Sequence, residues 1–112
     1  MNPAIEARML MREAYPLARY GKLDNVFYHV VRFVSPRVTK NFHTRRARSI
    51  WEGTARRIDS DEMDALRAAK YEEHRREQEE LRARLASLDK MLAVLDAHEA
   101  RTSLAERGSS PD

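Results

Sequence analysis

The sequence predicts an all-α protein: a small helical head carrying a helix-turn-helix-like pair, followed by a long C-terminal coiled-coil helix. Three observations support this. Only three glycines and four prolines punctuate 112 residues, which is poor in the turn residues that a many-stranded sheet requires. Apolar residues recur at helical spacing through the first half of the chain. From Ser60 onward no glycine or proline interrupts a charged, leucine-bearing stretch until Gly108. A chain of this length supports one small domain, or a smaller one with an extended appendage.

Residues 3–15 read as a first helix, with Ile5, Met9 and Leu10 spaced for one face and Pro16 ending it. Gly21 punctuates, and Asp24 can then cap a second helix to about Val34, on which Leu23, Phe27, Val30, Val31 and Val34 share a side. The β-branched content of this stretch leaves a strand as the alternative. Ser35-Pro36 stops it, because proline disfavours helical geometry in the residue before it.

After the connector RVTKNF, Thr44 is the expected N-cap of a third helix reaching about Arg57. Ala47, Ile50, Trp51, Thr54 and Ile58 fall on one side of it, and Arg45, Arg46, Arg48, Ser49 and Glu52 occupy the remainder. Trp51 therefore reads as core rather than as a base-stacking platform. Gly53 costs such a helix about 1 kcal/mol relative to alanine, so a close helix contact or a bend is expected there.

Asp59 and Glu62 have capping-box spacing, and Ile58 and Met63 occupy the positions of a hydrophobic staple. The helix they start should run to about His98 and leave residues 99–112 as a disordered tail. With Tyr71 as heptad position a, His74 falls at d, Gln78 at a, and Leu81, Leu85, Leu88, Leu92 and Leu95 alternate d and a. In a parallel pair, Glu77 at g would meet Arg82 at e, and Arg84 would meet Asp89, both opposite in sign, whereas Lys70 would meet Arg75. A helix of about 38 residues spans roughly 57 Å, more than a head of sixty residues can cover. Self-association, with a dimer favoured, is thus preferred over folding of the leucine stripe back onto the first two helices. The expected divisions are a head over 1–58, an oligomerisation helix over 59–98 and a tail over 99–112.

Charge is unevenly spread. Residues 1–36 hold five Lys/Arg against three Asp/Glu, residues 37–58 seven against one, and residues 59–112 nine against fourteen. A basic centre with an acidic tail points to an anionic partner for the centre. A helix pair whose second member shows basic residues outward and an aromatic inward suits a helix-turn-helix, with residues 24–34 supporting and residues 44–57 entering the major groove. Arg45, Arg46 and Arg48 would lie at the start of the recognition helix, where their forked guanidinium groups can reach guanine edges or phosphate. Arg37 and Lys40 in the turn, and Arg56 and Arg57 at the far end, would contact phosphate; the last two also suit the negative end of the helix dipole.

The stretch RARSIWEGTARRIDSDEMDALR, residues 46–67, resembles the core of small, mostly uncharacterised helix-turn-helix proteins of bacterial genomes and mobile elements. In these proteins such a segment leads into a charged heptad helix. The resemblance covers about a fifth of the chain and implies DNA binding. The connector here is longer than a minimal turn and lacks its glycine.

Other chemistry is not signalled. There is no cysteine for a disulfide or a thiolate metal site, and no Gly-rich phosphate loop or nucleophile elbow. His29, His43, His74 and His98 have no i, i+4 partner, so no metal is expected. Glu72, Glu73, Glu79 and Glu80 read as a solvated zipper face paired with arginines. No apolar run is long enough for a membrane span. The expectation is a cytoplasmic, non-enzymatic, cofactor-free protein binding double-stranded DNA as a homodimer, as a transcriptional regulator or nucleoid-associated protein. Its rivals are a coiled-coil adaptor whose basic helix binds an acidic protein, and an RNA binder, the latter disfavoured by the scarcity of exposed aromatics near the arginines.

Overall fold

Asn2 opens the first helix, α1 (Pro3–Ala14), its side-chain oxygen accepting from the Ala4 N–H at 2.8 Å, with proline in the first turn where no N–H is needed. The computed structural model describes residues 2–108, and among them there is no strand. The buried face of α1 is Ala7, Leu10, Met11 and Ala14. Ile5 and Met9, expected inside, are about half exposed. The small alanines let α1 lie close against a later helix, and that close approach decides the face over the larger aliphatics.

Pro16 precedes a single turn, α2 (Leu17–Tyr20), which Gly21 closes with φ of 84°. The next helix, α3 (Leu23–Val34), buries Val26, Phe27, Val30 and Val34 and settles the strand alternative. It begins one residue before Asp24, so that carboxylate sits in the first turn, and Lys22 holds the cap position with no side-chain hydrogen bond. Asp24 still faces the positive end of the helix dipole. Ser35–Arg37 continues as a 3₁₀ turn, and Phe42 is buried in the connector that follows.

The fourth helix, α4 (Thr44–Glu52), is shorter than its apolar pattern suggests. His43, rather than Thr44, occupies its N-cap position, and its side chain caps nothing. Gly53 ends it in the left-handed conformation, φ 77° and ψ 17°. Its N–H donates to the Ile50 carbonyl and the Thr54 N–H to the Ser49 carbonyl, a Schellman closure. The Arg8 side chain lies over this glycine, where an added Cβ would stand 3.0 Å from Nη1 and 3.1 Å from Cδ. The positive φ calls for glycine. Packing of α4 against α1 and α3 closes the core around Trp51, whose ring meets Phe27 edge-on at 6.1 Å between centroids.

The last helix, α5 (Ser60–Gly108), starts as its sequence signature requires: Glu62 Oε1 accepts from the Asp59 N–H at 3.0 Å. Met63, Ala65, Leu66 and Ala69 complete the core. The chain divides into two units at Arg76/Glu77. The first therefore extends beyond residue 58, because the opening turns of α5 supply part of its core. Glu73 also belongs there: it is buried, with its carboxylate 2.8 Å from both Arg19 Nε and Arg76 Nη1, and is not part of a solvated face.

In the second unit α5 continues through residues 99–108, expected as a disordered tail; residues 109–112 lie outside those described. Helix formation there follows from a composition without proline and with its only glycine at the end. Leu81, Leu85, Leu88, Leu92 and Leu95 are 41–67% exposed, so the leucine stripe lies uncovered among the described residues. No helix among the described residues is long and apolar enough to cross a membrane.

Candidate nucleic-acid interface

With Ala47, Ile50 and Trp51 turned into the core, the outward face of α4 is fixed by 3.6-residue geometry. Thr44, Arg45, Arg48 and Glu52 are the residues exposed on it. Arg45 makes no salt bridge among the described residues. The Arg48 guanidinium lies 5.0 Å from the Phe27 ring centroid, and its Nη1 is 3.8 Å from the Glu52 carboxylate. That contact is an exposed i, i+4 pair, of the kind worth about 0.3–0.5 kcal/mol, so a phosphate can displace it.

Arg46, expected at DNA, is engaged within the chain. It points away from the outward face and grips Glu62 in a fork, Nε to Oε2 at 2.8 Å and Nη2 to Oε1 at 2.7 Å. Nη2 also donates to the Arg57 carbonyl at 2.5 Å. Glu62 is 0% exposed, and its hydrogen bonds raise the Arg46 pKa further above its ordinary value. A charge-assisted fork to a buried carboxylate is not surrendered to an exposed phosphate. This pair ties α4 to the start of α5.

Two turn residues expected at phosphate are also engaged. Lys40 is salt-bridged to Asp59, whose carboxyl is held below its ordinary pKa, first by that hydrogen bond. Arg37 donates from Nη1 to the Phe33 carbonyl at 2.6 Å and stacks on the Phe33 ring at 3.7 Å. It closes the C-terminal end of α3 instead of reaching out from the turn.

Arg56 and Arg57 lie beyond α4, in the segment between Gly53 and Ser60, because the Schellman closure stops the helix before them. They are therefore not C-terminal residues of that helix. Both are exposed, and Arg57 has only a loose contact, 3.7 Å, with Asp59. Arg45, Arg48, Arg56 and Arg57 are thus exposed around α4, Arg46 is partly buried against Glu62, and Arg37 and Lys40 are exposed but engaged in contacts of their own.

Arg8 and Arg12, which sequence reasoning passed over, join this region from α1. Arg12 donates Nε and Nη2 to the Trp51 carbonyl at 3.2 and 2.8 Å, and its guanidinium lies 4.8 Å from the Trp51 ring. Arg8 covers Gly53. Both are exposed and stand at the negative end of the α4 dipole. Only the packing of α1 on α4, which the alanine-lined face of α1 determines, brings them here.

No protein-family model, no curated protein and no solved structure matches this chain.

Proposed function

We propose that the chain binds double-stranded DNA through the outward face of α4 and associates with a second copy through the leucine stripe of α5, in the manner of a transcriptional regulator or nucleoid-associated protein. The observation that carries the reading is the exposed arginine set, Arg45 and Arg48 on α4 with Arg56 and Arg57 following, against one exposed acid, Glu52, on that helix. In this reading α3 supports and α4 is the recognition helix of a helix-turn-helix, and the resemblance of residues 46–67 points the same way. Arg45, early in α4 and without a salt bridge among the described residues, is assigned to base edges as well as the flanking phosphate, and the other three to phosphate alone.

Exposure of the five leucines favours a second reading, an adaptor whose α5 docks a different protein. Fluorescence anisotropy with duplex DNA, single-stranded DNA and duplex RNA separates the readings. Tightest binding to duplex DNA, much weakened in the Arg45→Ala/Arg48→Ala variant, is the expected result. Failure of duplex DNA to bind, or unchanged binding by that variant, would overturn it.

A further inference from the structure

Because α5 remains helical to Gly108, the heptad pattern extends past the last leucine, with Glu99 at position a and Thr102 at position d. In a parallel, in-register pair each seam residue meets its own copy. Glu99 would then face the partner's Glu99 across the seam, and His74 would face the partner's His74. Two glutamates forced together in a desolvated layer oppose that arrangement.

Antiparallel pairing removes the conflict. Core layers then join an a residue to a d residue of the other chain. With Leu85 opposite the partner's Leu88, Leu81 falls opposite the partner's Leu92, and four layers are leucine on leucine. In the same register His74 meets the partner's Glu99, and Tyr71 meets the partner's Thr102. His74, Tyr71 and Glu99 are all exposed.

Flanking charges agree. The e positions of α5 read Arg75, Arg82, Asp89, Asp96, basic then acidic. In an antiparallel pair e positions meet e positions, so Arg82 lies beside the partner's Asp89 and Arg75 beside the partner's Asp96, each twice by symmetry. A register one heptad further along would instead place Asp89 beside the partner's Asp89. Charge over the whole chain has the same polarity, sixteen Lys/Arg against ten Asp/Glu up to residue 76 and five against eight beyond it.

We infer that α5 is an antiparallel homodimerisation helix, with Leu85 of each chain against the partner's Leu88, so that the two chains enter the seam from opposite ends. This rests on the self-association proposed above and adds its orientation and register. It needs no DNA binding to be true.

The chain has no cysteine, so single cysteines report orientation directly. Leu81→Cys and Leu92→Cys variants, one carrying a mass tag, are oxidised separately and as an equal mixture. The expected result is a disulfide-linked heterodimer from the mixture and little crosslinking of either variant alone. Rapid crosslinking of each variant with itself would establish the parallel pair and overturn the orientation while leaving the dimer. Sedimentation of the wild-type chain as a monomer at tens of micromolar would overturn the dimer as well.

Surface charge changes test the same point without touching the core. Asp96→Arg would face the partner's Arg75 and should weaken dimerisation roughly five- to tenfold at low salt, whereas Glu77→Arg, which leaves the antiparallel e contacts intact, should leave it within about twofold. The reverse ranking would overturn the proposal.

Discussion

Removing the Arg46 guanidinium would leave the Glu62 carboxylate buried without its forked partner. Arg46→Ala should therefore destabilise the first unit by about 3–5 kcal/mol, read by urea denaturation. Arg45→Ala and Arg48→Ala, on the exposed face of the same helix, should each stay within about 0.5 kcal/mol of wild type and act on DNA binding alone. A loss of binding in Arg46→Ala would report unfolding. The sequence carried a faint sign of this division. A core centred on Ala47, Ile50 and Trp51 puts Arg46 at its border and Arg45 opposite, but the acid that claims Arg46 comes from the next helix, and no local pattern reveals it. Trp51 was legible, because its apolar neighbours share its helical face. Trp51→Ala should cost about 3–5 kcal/mol, and the native fluorescence maximum should be that of a buried indole. Asp59 gives a pH dependence. Its carboxyl titrates below the ordinary value of 3.8 in the folded chain, chiefly through the hydrogen bond with Lys40. A group shifted in this direction stabilises the fold above its unfolded pKa and loses that contribution as pH falls through the folded value. Stability should thus fall on acidification below about pH 4, and Asp59→Asn, measured by thermal unfolding over that window, should make the decline shallower.

Helix α5 was legible where the instruction is local and obscure where it is not. The capping spacing of Asp59 and Glu62 marks its start and the absence of helix breakers its length, although past residue 98 the polar sequence has no apolar periodicity to distinguish a helix from a frayed end. The place where its role changes, at Arg76/Glu77, has no marker in the sequence. It depends on how much of the helix the other elements cover, as the burial of Glu73 shows. For α4 the same local logic failed at Gly53: apolar spacing continues through Thr54 and Ile58, yet the left-handed glycine ends the helix. The leucine stripe gives the element-scale prediction. Leu85→Asp combined with Leu88→Asp places charges in the middle layers of the seam, where desolvation costs several kcal/mol. Sedimentation should show a monomer, while circular dichroism and Trp51 fluorescence retain the folded first unit, since none of its core comes from these residues. A variant that still sediments as a dimer would move the interface elsewhere.

For the whole molecule, DNA affinity and self-association combine in the salt dependence. Each arginine that neutralises a phosphate contributes about −0.9 to the slope of log K against log salt. Four exposed arginines per head, Arg45, Arg48, Arg56 and Arg57, set a slope of about −3.5 for one head and about −7 for two. The Leu85→Asp/Leu88→Asp monomer isolates the single head, and on a duplex of about one helical turn, 10–12 base pairs, the dimer should give the same slope, because so short a site holds only one head. On longer duplexes the dimer slope should rise towards −7 if both heads engage one molecule, and should stay near −3.5 if the opposed chains hold separate duplexes. Arg45→Ala/Arg48→Ala should halve the single-head slope to about −2 whichever arrangement holds. If the monomer carrying those two changes keeps the full single-head slope, phosphate is held by other cations, and Arg8 and Arg12 on α1 become the next residues to replace.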